Sequence, residues 1–466
     1  MSTIETDYLV VGAGASGMGF TDELSANSDA EVVLVDRRHR PGGHWNDGYG
    51  FLRLHQPSAF YGVNSRPLGN DRIDESGPNA GLYERASGTE VCDYYGRVLD
   101  EQMLPSGKVR FFGMSDYVGN ANGEHRFISR LTGETTTVRV RRKLVDATYI
   151  QTTVGPNHKP SFSVDPDARV VIPRGLVSLA DHGSGFTIVG AGKTAMDTCC
   201  WLIDQGVAPD RIRWIRPREP WTVERKAVQP LKLMGWFVES FAFQMEAAAQ
   251  AESVDDFMRR LEDGSVHHRL DPRVEAEIYR GPTLSELERA QLRSIENVVR
   301  LGYVLHVGVD EIKLENGSIA TDAGQIHVDC SAPGIGTPPL RPIFENGTIR
   351  MQRVMNAIDP FSAALIGFVE ATRDDEREKN RLCPSVDLSG RAEDFAPGFL
   401  ASQKARVTWF GDPDVRDWLA RTRLTPFHRA AEFLTDPASQ TALGRMIANT
   451  GPAIENLERL LGRNRG

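Results

Sequence analysis

The chain has 466 residues, 40% apolar and 25% charged, which is the composition of an ordinary globular protein with room for two or three full cores. Its net charge of −9 argues against general binding to nucleic acid or anionic membrane, which select basic surfaces, so small molecules are the expected partners. No uninterrupted apolar run approaches the ~20 residues of a membrane helix. The opening Met1-Ser2-Thr3-Ile4-Glu5-Thr6-Asp7 has neither a basic segment nor an apolar signal core, which makes the cytoplasm the expected location.

The first predicted strand, Tyr8-Leu9-Val10-Val11, runs into Gly12-Ala13-Gly14-Ala15-Ser16-Gly17 and then into a helix-forming stretch. That context separates a dinucleotide turn from a chance glycine cluster. Gly12 permits the tight turn, Gly14 lets a pyrophosphate approach the backbone, and Gly17 lets the helix pack on its strand. The backbone N–H groups of Ala15 and Ser16 then face the phosphates at the helix start. The next strand, Glu31-Val32-Val33-Leu34-Val35, ends at Asp36 and Arg37. A carboxylate there accepts hydrogen bonds from ribose hydroxyls and repels a 2′-phosphate, so this site reads as FAD or NAD.

A Gly- and Pro-rich excursion follows from Arg40 to about Gly88, long enough to be functional. It carries Pro41-Gly42-Gly43-His44-Trp45 and Leu52-Arg53-Leu54-His55-Gln56-Pro57. After a helical stretch around Val91 to Met103, three short strands at Val109–Phe112, His125–Ile128 and Thr135–Arg141, with turns at Asn122-Gly123 and Thr132-Gly133-Glu134, predict a β meander. Lys143 to Thr148 closes this block, and a Pro-rich connector runs from Pro156 to Pro173.

A second unit repeats the first. Phe186-Thr187-Ile188-Val189 enters Gly190-Ala191-Gly192-Lys193-Thr194-Ala195, and the following strand, Arg211 to Ile215, ends at Arg216-Pro217-Arg218. Guanidiniums at that endpoint suit a 2′-phosphate, so the second site reads as NADPH, the alternative being a solvated basic turn. Gly192-Lys193-Thr194 is not a P-loop, which needs glycine where Thr187 stands; Lys193 is expected in the first helical turn near a pyrophosphate. Asp197, on the same helix, reads as a surface carboxylate. Gln229 to Arg300 reads as mostly helical, its aromatic start from Leu231 to Phe243 serving as core or subunit contact. An Asn316-Gly317 hairpin follows. Val328 to Gly334 reads as a strand ending in a glycine turn that returns the chain to the first domain, and the chain from about Pro426 reads as helices.

The predicted architecture is α/β, with two Rossmann-like doubly wound dinucleotide-binding domains plus a β meander and helical additions. The FAD domain is discontinuous: residues 1–180 form its first part, 181–329 the NADPH domain with a helical insertion, and 330–466 the return and C-terminal helices. The five cysteines, at 92, 199, 200, 330 and 383, contain no CxxC pair, which removes the reactive centre of a dithiol reductase.

Gly12-x-Gly14-x-x-Gly17, Asp36, Gly42-Gly43-x-Trp45 and a second GxGxxA followed by arginines resemble the flavin-containing monooxygenase superfamily. More narrowly, Gly190 to Asp197 and Ile212 to Trp221 resemble a group of bacterial FAD/NAD(P)-dependent oxidoreductases. The resemblance spans residue 6 to about 370. It implies FAD in the first site, with the flavin reaching over Gly43, His44 and Trp45 toward Arg53, His55 and Gln56. It implies that Asp146-Ala147-Thr148 and Cys330 to Gly334 stand where the family has its Ala-Thr-Gly strand ends. NADPH would then reduce the flavin, and a flavin hydroperoxide would oxygenate a small organic substrate, with molecular oxygen as co-substrate. In that scheme Arg53 orients nicotinamide or stabilises peroxide charge, Gln56 donates a hydrogen bond and His55 manages a proton. Two departures, the missing FxGxxxH before the second turn and Tyr149 in place of a glycine, favour the alternative of an FAD-dependent dehydrogenase or oxidase. A flavin- and nucleotide-binding redox protein without turnover is the third reading. Substrate and oligomeric state are left open by the sequence.

Overall fold

The computed structural model of the protein describes residues 2–121, 123–154, 158–355, 359–387 and 390–463. Asn122 of the expected turn and Pro156 of the expected connector lie outside them. β1 (Ser2–Val11) leads through the first glycine turn into α1 (Ala15–Asn27), which crosses over to β2 (Val32–Val35), parallel to β1 with Tyr8 opposite Val32. Leu9, Val10 and all four β2 residues are buried, as in a parallel strand covered on both faces.

From β2 the long excursion and α2 (Gly88–Val98), closed by a Ser87/Glu90 capping box, form a second crossover to β3 (Val109–Phe112). β3 pairs parallel with β2. The strand expected to open the meander is therefore a member of the main parallel sheet, because a crossover of this length delivers a parallel neighbour. The meander consists instead of β4 (Ser115–Ala121), β5 (Glu124–Ser129) and β6 (Thr135–Asp146). β6 pairs antiparallel with β5 on one side and parallel with β1 on the other.

β7 (Thr152–Thr153), β8 (Ser163–Val164), β9 (Val170–Val171) and α3 (Pro173–Leu176) precede β10 (Gly185–Val189), the strand of the second glycine turn. α4 (Lys193–Asp204) and β11 (Ile212–Ile215) complete the second βαβ unit. Between β11 and the last strand of that sheet lie β12 (Pro220–Glu224), α5 (Met234–Gln250), α6 (Val254–Asp263), β13 (His267–Arg269), β14 (Ile278–Leu284), α7 (Glu286–Arg293) and β15 (Val298–Val299). A four-stranded side sheet then takes β16 (Val304–Val307), β17 (Glu311–Leu314) and β18 (Gly317–Ala320), with the Asn316-Gly317 hairpin in place. β19 (Gln325–Asp329) closes a five-stranded parallel sheet in the order β15-β11-β10-β19-β9.

Two expectations are corrected here. β8 and β9 belong to the second unit, so it begins before residue 181, with chain that composition alone reads as connector. The span from Gln229 to Arg300 is interrupted by β13 and β14, which flank β12 in a three-stranded sheet of their own.

β20 (Gly334–Ile335) pairs with β7, and β21 (Phe344–Glu345) and β22 (Thr348–Arg350) rejoin the first sheet beside β6. The first core contains residues of β1, β2 and α1 together with α8 (Asp359–Thr372) and α9 (Glu376–Leu382). Glu370 of α8 fixes the return: it accepts from Tyr8 Oη at 2.8 Å, Lys379 Nζ at 2.6 Å and Lys143 Nζ at 3.1 Å. α10 (Phe395–Gly411) and α11 (Pro413–Arg421) extend that core through Trp409, Val415 and Trp418. α12 (Ala430–Phe433) leads to α13 (Pro437–Arg463), which packs on α5. The C-terminal helices thus cover the helical insertion as well as the first domain, and the aromatic stripe of α5 is core: Phe237 meets Phe427 edge-on at 5.0 Å.

Candidate functional site

Both glycine turns open at the carboxyl ends of parallel strands, where doubly wound sheets bind ligands. In the first, Gly12 has φ +103°, and a Cβ on it would lie 2.9 Å from Thr148 Cγ2. A Cβ on Gly17 would lie 1.9 Å from the Gly12 carbonyl oxygen, so the helix packs against its own turn. Gly43 approaches Gly14 as closely: its Cβ would stand 2.9 Å from Gly14 Cα, and Gly42 N–H donates to Ala13 O at 2.9 Å. The Gly42-Gly43 turn is therefore docked on the nucleotide turn. Neither α1 nor α4 has a side-chain N-cap, whereas α2, α6 and α7 are capped by Ser87, Ser253 and Ser285. The uncapped first-turn N–H groups, which include those of Ala15, Ser16, Lys193 and Thr194, are fit for phosphate.

Asp36, buried at the end of β2, accepts from Ala13 N–H at 2.6 Å and from Arg38 N–H at 2.8 Å. Each carboxylate oxygen retains a lone pair for a ribose hydroxyl while bracing the turn. Arg37 is exposed. His44 stacks on Trp45 with ring centroids 5.3 Å apart, and Trp45 Nε1 donates to Tyr61 Oη at 2.9 Å. Burial, assisted by Arg38 and opposed by Asp359 and Asp47, holds His44 down to about 4, so it is neutral near pH 7.

The second turn is braced differently. Gly190 has φ +126° and stands against the Cys330 carbonyl, which a Cβ would meet at 2.7 Å. Trp214 of β11, fully buried, donates from Nε1 to Gly190 O at 2.7 Å. Gly192 is exposed at the helix start and Ala195 is buried beneath it. Each turn also meets a return turn of one design. Asp146 Oδ1 accepts from Thr148 N–H and Oγ1, and Asp329 Oδ1 accepts from Ser331 N–H and Oγ. The resemblance marks both segments as strand ends, but that Asp146 and Asp329 brace them in the same way follows only from the positions of β6 and β19 beside the two glycine-turn strands.

The two predicted arginines part company. Arg216 is buried, its guanidinium 4.7 Å from the Trp214 ring centroid and 3.3 Å from the equally buried Glu219 carboxylate. It offers no free charge to a phosphate, and the expected pairing of Arg216 with Arg218 is corrected on that ground. Arg218 is exposed and packs over Tyr303 at 5.7 Å.

Lys193 makes a short ion pair with Asp197, and Tyr49 Oη donates to the other Asp197 oxygen at 2.8 Å. Asp197 is therefore an interdomain contact, not a surface carboxylate. Phe51 extends the contact by stacking on Trp201 at 4.6 Å. The Arg53 to Gln56 segment lies in the same junction. Its His55 carbonyl accepts from Arg225 Nε at 3.2 Å and Thr283 Oγ1 at 2.5 Å. Arg225 is fully buried, makes a short pair with Glu288, and also donates to Asn79 Oδ1 and Thr283 O. Arg85 adds a second pair to Glu288 at 3.1 Å. Burial and the neighbouring charges of Lys193, Arg225 and Arg85 push the His55 imidazole well below its ordinary range, so it stays neutral. The Gln56 side chain makes no hydrogen bond among the described residues, and Arg53 is exposed, donating to Arg85 O at 3.0 Å. The structure thus brings His55 and Gln56 to the junction and leaves Arg53 on its rim. Gly334, with φ +69°, begins the β20 strand that pairs with β7. Among the described residues no helix is long and apolar enough to cross a membrane.

The model of an NAD(P)-binding Rossmann-like domain matches residues 10–50. An uncharacterized protein of Mycobacterium tuberculosis is 42% identical over 424 residues, which cover 91% of this chain and 78% of that protein. A probable FAD-binding monooxygenase, AlmA, of an Acinetobacter species is 29% identical over 109 residues, 23% of this chain and 20% of that protein. An open structure of cyclohexanone monooxygenase aligns with a TM-score of 0.49 and 11% identity, over 89% of this chain and 99% of that one. The chain carries two Rossmann-like βαβ units, the first of them overlapping the matched NAD(P)-binding domain. It belongs to the family of the mycobacterial protein.

Proposed function

We propose that the protein is an FAD-dependent, NADPH-consuming monooxygenase acting on a small organic substrate. The balance is substrate, O2, NADPH and a proton giving oxygenated product, NADP+ and water. One observation carries the reading: two uncapped helices, each opened by a glycine turn, face a junction in which the His55-Gln56 segment is pinned between the units. FAD bound at the first turn would supply the redox chemistry, taking hydride from nicotinamide and passing electrons to oxygen.

The chain's own groups then have defined tasks. The α1 N–H groups bind the FAD pyrophosphate and Asp36 accepts from its ribose. The α4 N–H groups and Lys193 bind the NADPH pyrophosphate, with Lys193 exchanging its Asp197 partner for phosphate. Gln56 donates its unengaged amide to the reacting centre, and His55, neutral at working pH, presents one N–H and one acceptor nitrogen. The Tyr49–Asp197 and Phe51–Trp201 contacts close the junction to water.

The test is an anaerobic visible spectrum of the yellow protein titrated with NADPH, followed by aerobic assays with labelled oxygen. The expected outcome is bleaching by NADPH and incorporation of one labelled atom per NADPH into a substrate. Bleaching by substrate alone would assign a dehydrogenase, and a flavin that neither reduces would assign a binding protein.

A further inference from the structure

The second glycine turn carries an electrostatic conflict. Lys193 places a cation in the first turn of α4, at the positive end of the helix, where there is no acidic residue and no side-chain cap. Asp197, one turn on, answers it with a short ion pair in which both side chains are largely buried. Lysine ahead of its acid at this spacing is the less favourable order on a helix. The pair also leaves the first-turn N–H groups unanswered, whereas an anion at the turn would satisfy them and Lys193 together. Space for it is open: a Cβ on Gly192 would meet nothing within 4 Å, while one on Gly14 would lie 3.5 Å from Gly43.

The second oxygen of Asp197 is held by the other unit. It accepts from Tyr49 Oη at 2.8 Å, and burial followed by the Asp197 charge pushes that hydroxyl well above its ordinary range, so it keeps its proton and donates. Tyr49 lies just beyond the 3-10 turn Gly43–Asp47, whose Gly43 is docked on Gly14 of the first glycine turn. One short segment of the excursion thus touches both turns.

We propose that Asp197 is an internal competitor for the phosphate of the second site and the residue that couples that site to the first unit. The proposal rests on the nucleotide-binding reading above. With the site empty, Asp197 divides its charge between Lys193 and Tyr49. A phosphate that takes Lys193 leaves Asp197 with Tyr49 alone, and a hydrogen bond to an uncompensated carboxylate is the stronger one. Filling the second site therefore tightens the hold on residues 43–49 and, through Gly43, on the first turn. The two partners of Asp197 act on phosphate binding with opposite sign. The ion pair opposes it, and the Tyr49 hydroxyl favours it by accommodating the carboxylate that Lys193 leaves behind.

The test uses the full-length, flavin-loaded protein with 5′-ADP as the probe and calorimetry as the readout. D197N and D197S are each expected to bind 5′-ADP about tenfold tighter than wild type, and Y49F about threefold weaker. General damage to the site would weaken binding in all three. In a K193M background the D197N gain should vanish, because no ammonium remains to be released. Limited proteolysis of wild type supplies a second readout: saturating 5′-ADP should slow cleavage within residues 40–88 about threefold, and Y49F should abolish that protection. Asp197 variants that bind no tighter than wild type, or that gain equally in K193M, would overturn the competitor. Wild-type affinity in Y49F, or cleavage of the excursion at one rate with and without 5′-ADP, would overturn the coupling. A folded, flavin-loaded wild type that does not bind 5′-ADP would remove the nucleotide reading itself.

Discussion

At the scale of single residues, the first glycine turn is the part of the site that tolerates least. Val at Gly17 would drive a Cβ into the Gly12 carbonyl, 1.9 Å away, and that contact is backbone on both sides, so nothing can swing aside. Gly17→Val is expected to cost more than about 3 kcal/mol and to yield protein without flavin, which an absorbance ratio and a thermal melt would both report. Asp36→Asn is milder. It keeps one acceptor for Ala13 N–H and forfeits the charge assistance, so flavin affinity should fall by roughly 1–2 kcal/mol with the fold intact, and unchanged flavin content would remove its ribose role. Both residues were legible in the sequence because their demands are local: a missing Cβ, a carboxylate at a strand end. Arg216 was legible as a position and not as a role. Its charge is cancelled by Glu219, three residues on, and which arginine of a cluster turns inward depends on the ring of Trp214 beneath it.

At the scale of elements, the two βαβ units were readable because a glycine turn, an uncapped helix and a strand endpoint lie within one short span of chain. The elements missed are those whose identity depends on a distant partner. β9 is two residues long and exists because Val170 and Val171 pair with His327 and Val328. Tyr49 and Asp197 meet across 148 positions. Trp214 shows how a strand residue serves the turn beside it: its indole N–H holds the Gly190 carbonyl in the conformation that frees the α4 N–H groups. Trp214→Phe keeps the ring under Arg216 and deletes that bond. Nucleotide binding at the second site should weaken by about 1 kcal/mol while flavin content stays constant, and an equal loss at both sites would show general destabilisation instead.

At the scale of the molecule, the sequence revealed two nucleotide units in one chain but not what fixes one to the other. The fixing point is Glu288. It closes the α7 capping box with Ser285 and is the ion-pair partner of both Arg225 and Arg85, the latter contributed by the long excursion of the first unit. Burial opposes its ionisation, but Arg225, Lys193 and Arg85 outweigh burial and hold its carboxyl down to about 2. An unfolded Glu titrates near ~4.3, so the folded state binds fewer protons between the two values; the stabilisation is complete above about pH 4.3 and is lost as pH falls through about 2. Glu288→Gln preserves the cap and the volume but leaves two buried guanidiniums without a counter-charge, which costs roughly 3–5 kcal/mol when one partner of a buried pair is removed. Denaturant midpoints for wild type should fall between ~pH 6 and ~pH 3, and those for E288Q should start lower and fall less over that range. Because Arg225 also holds the His55 carbonyl, E288Q should expose the Arg40 to Gly88 excursion to protease before the rest of the chain unfolds. An E288Q protein with wild-type midpoints and an equally protected excursion would show that the junction is held by the Tyr49–Asp197 and Phe51–Trp201 contacts alone.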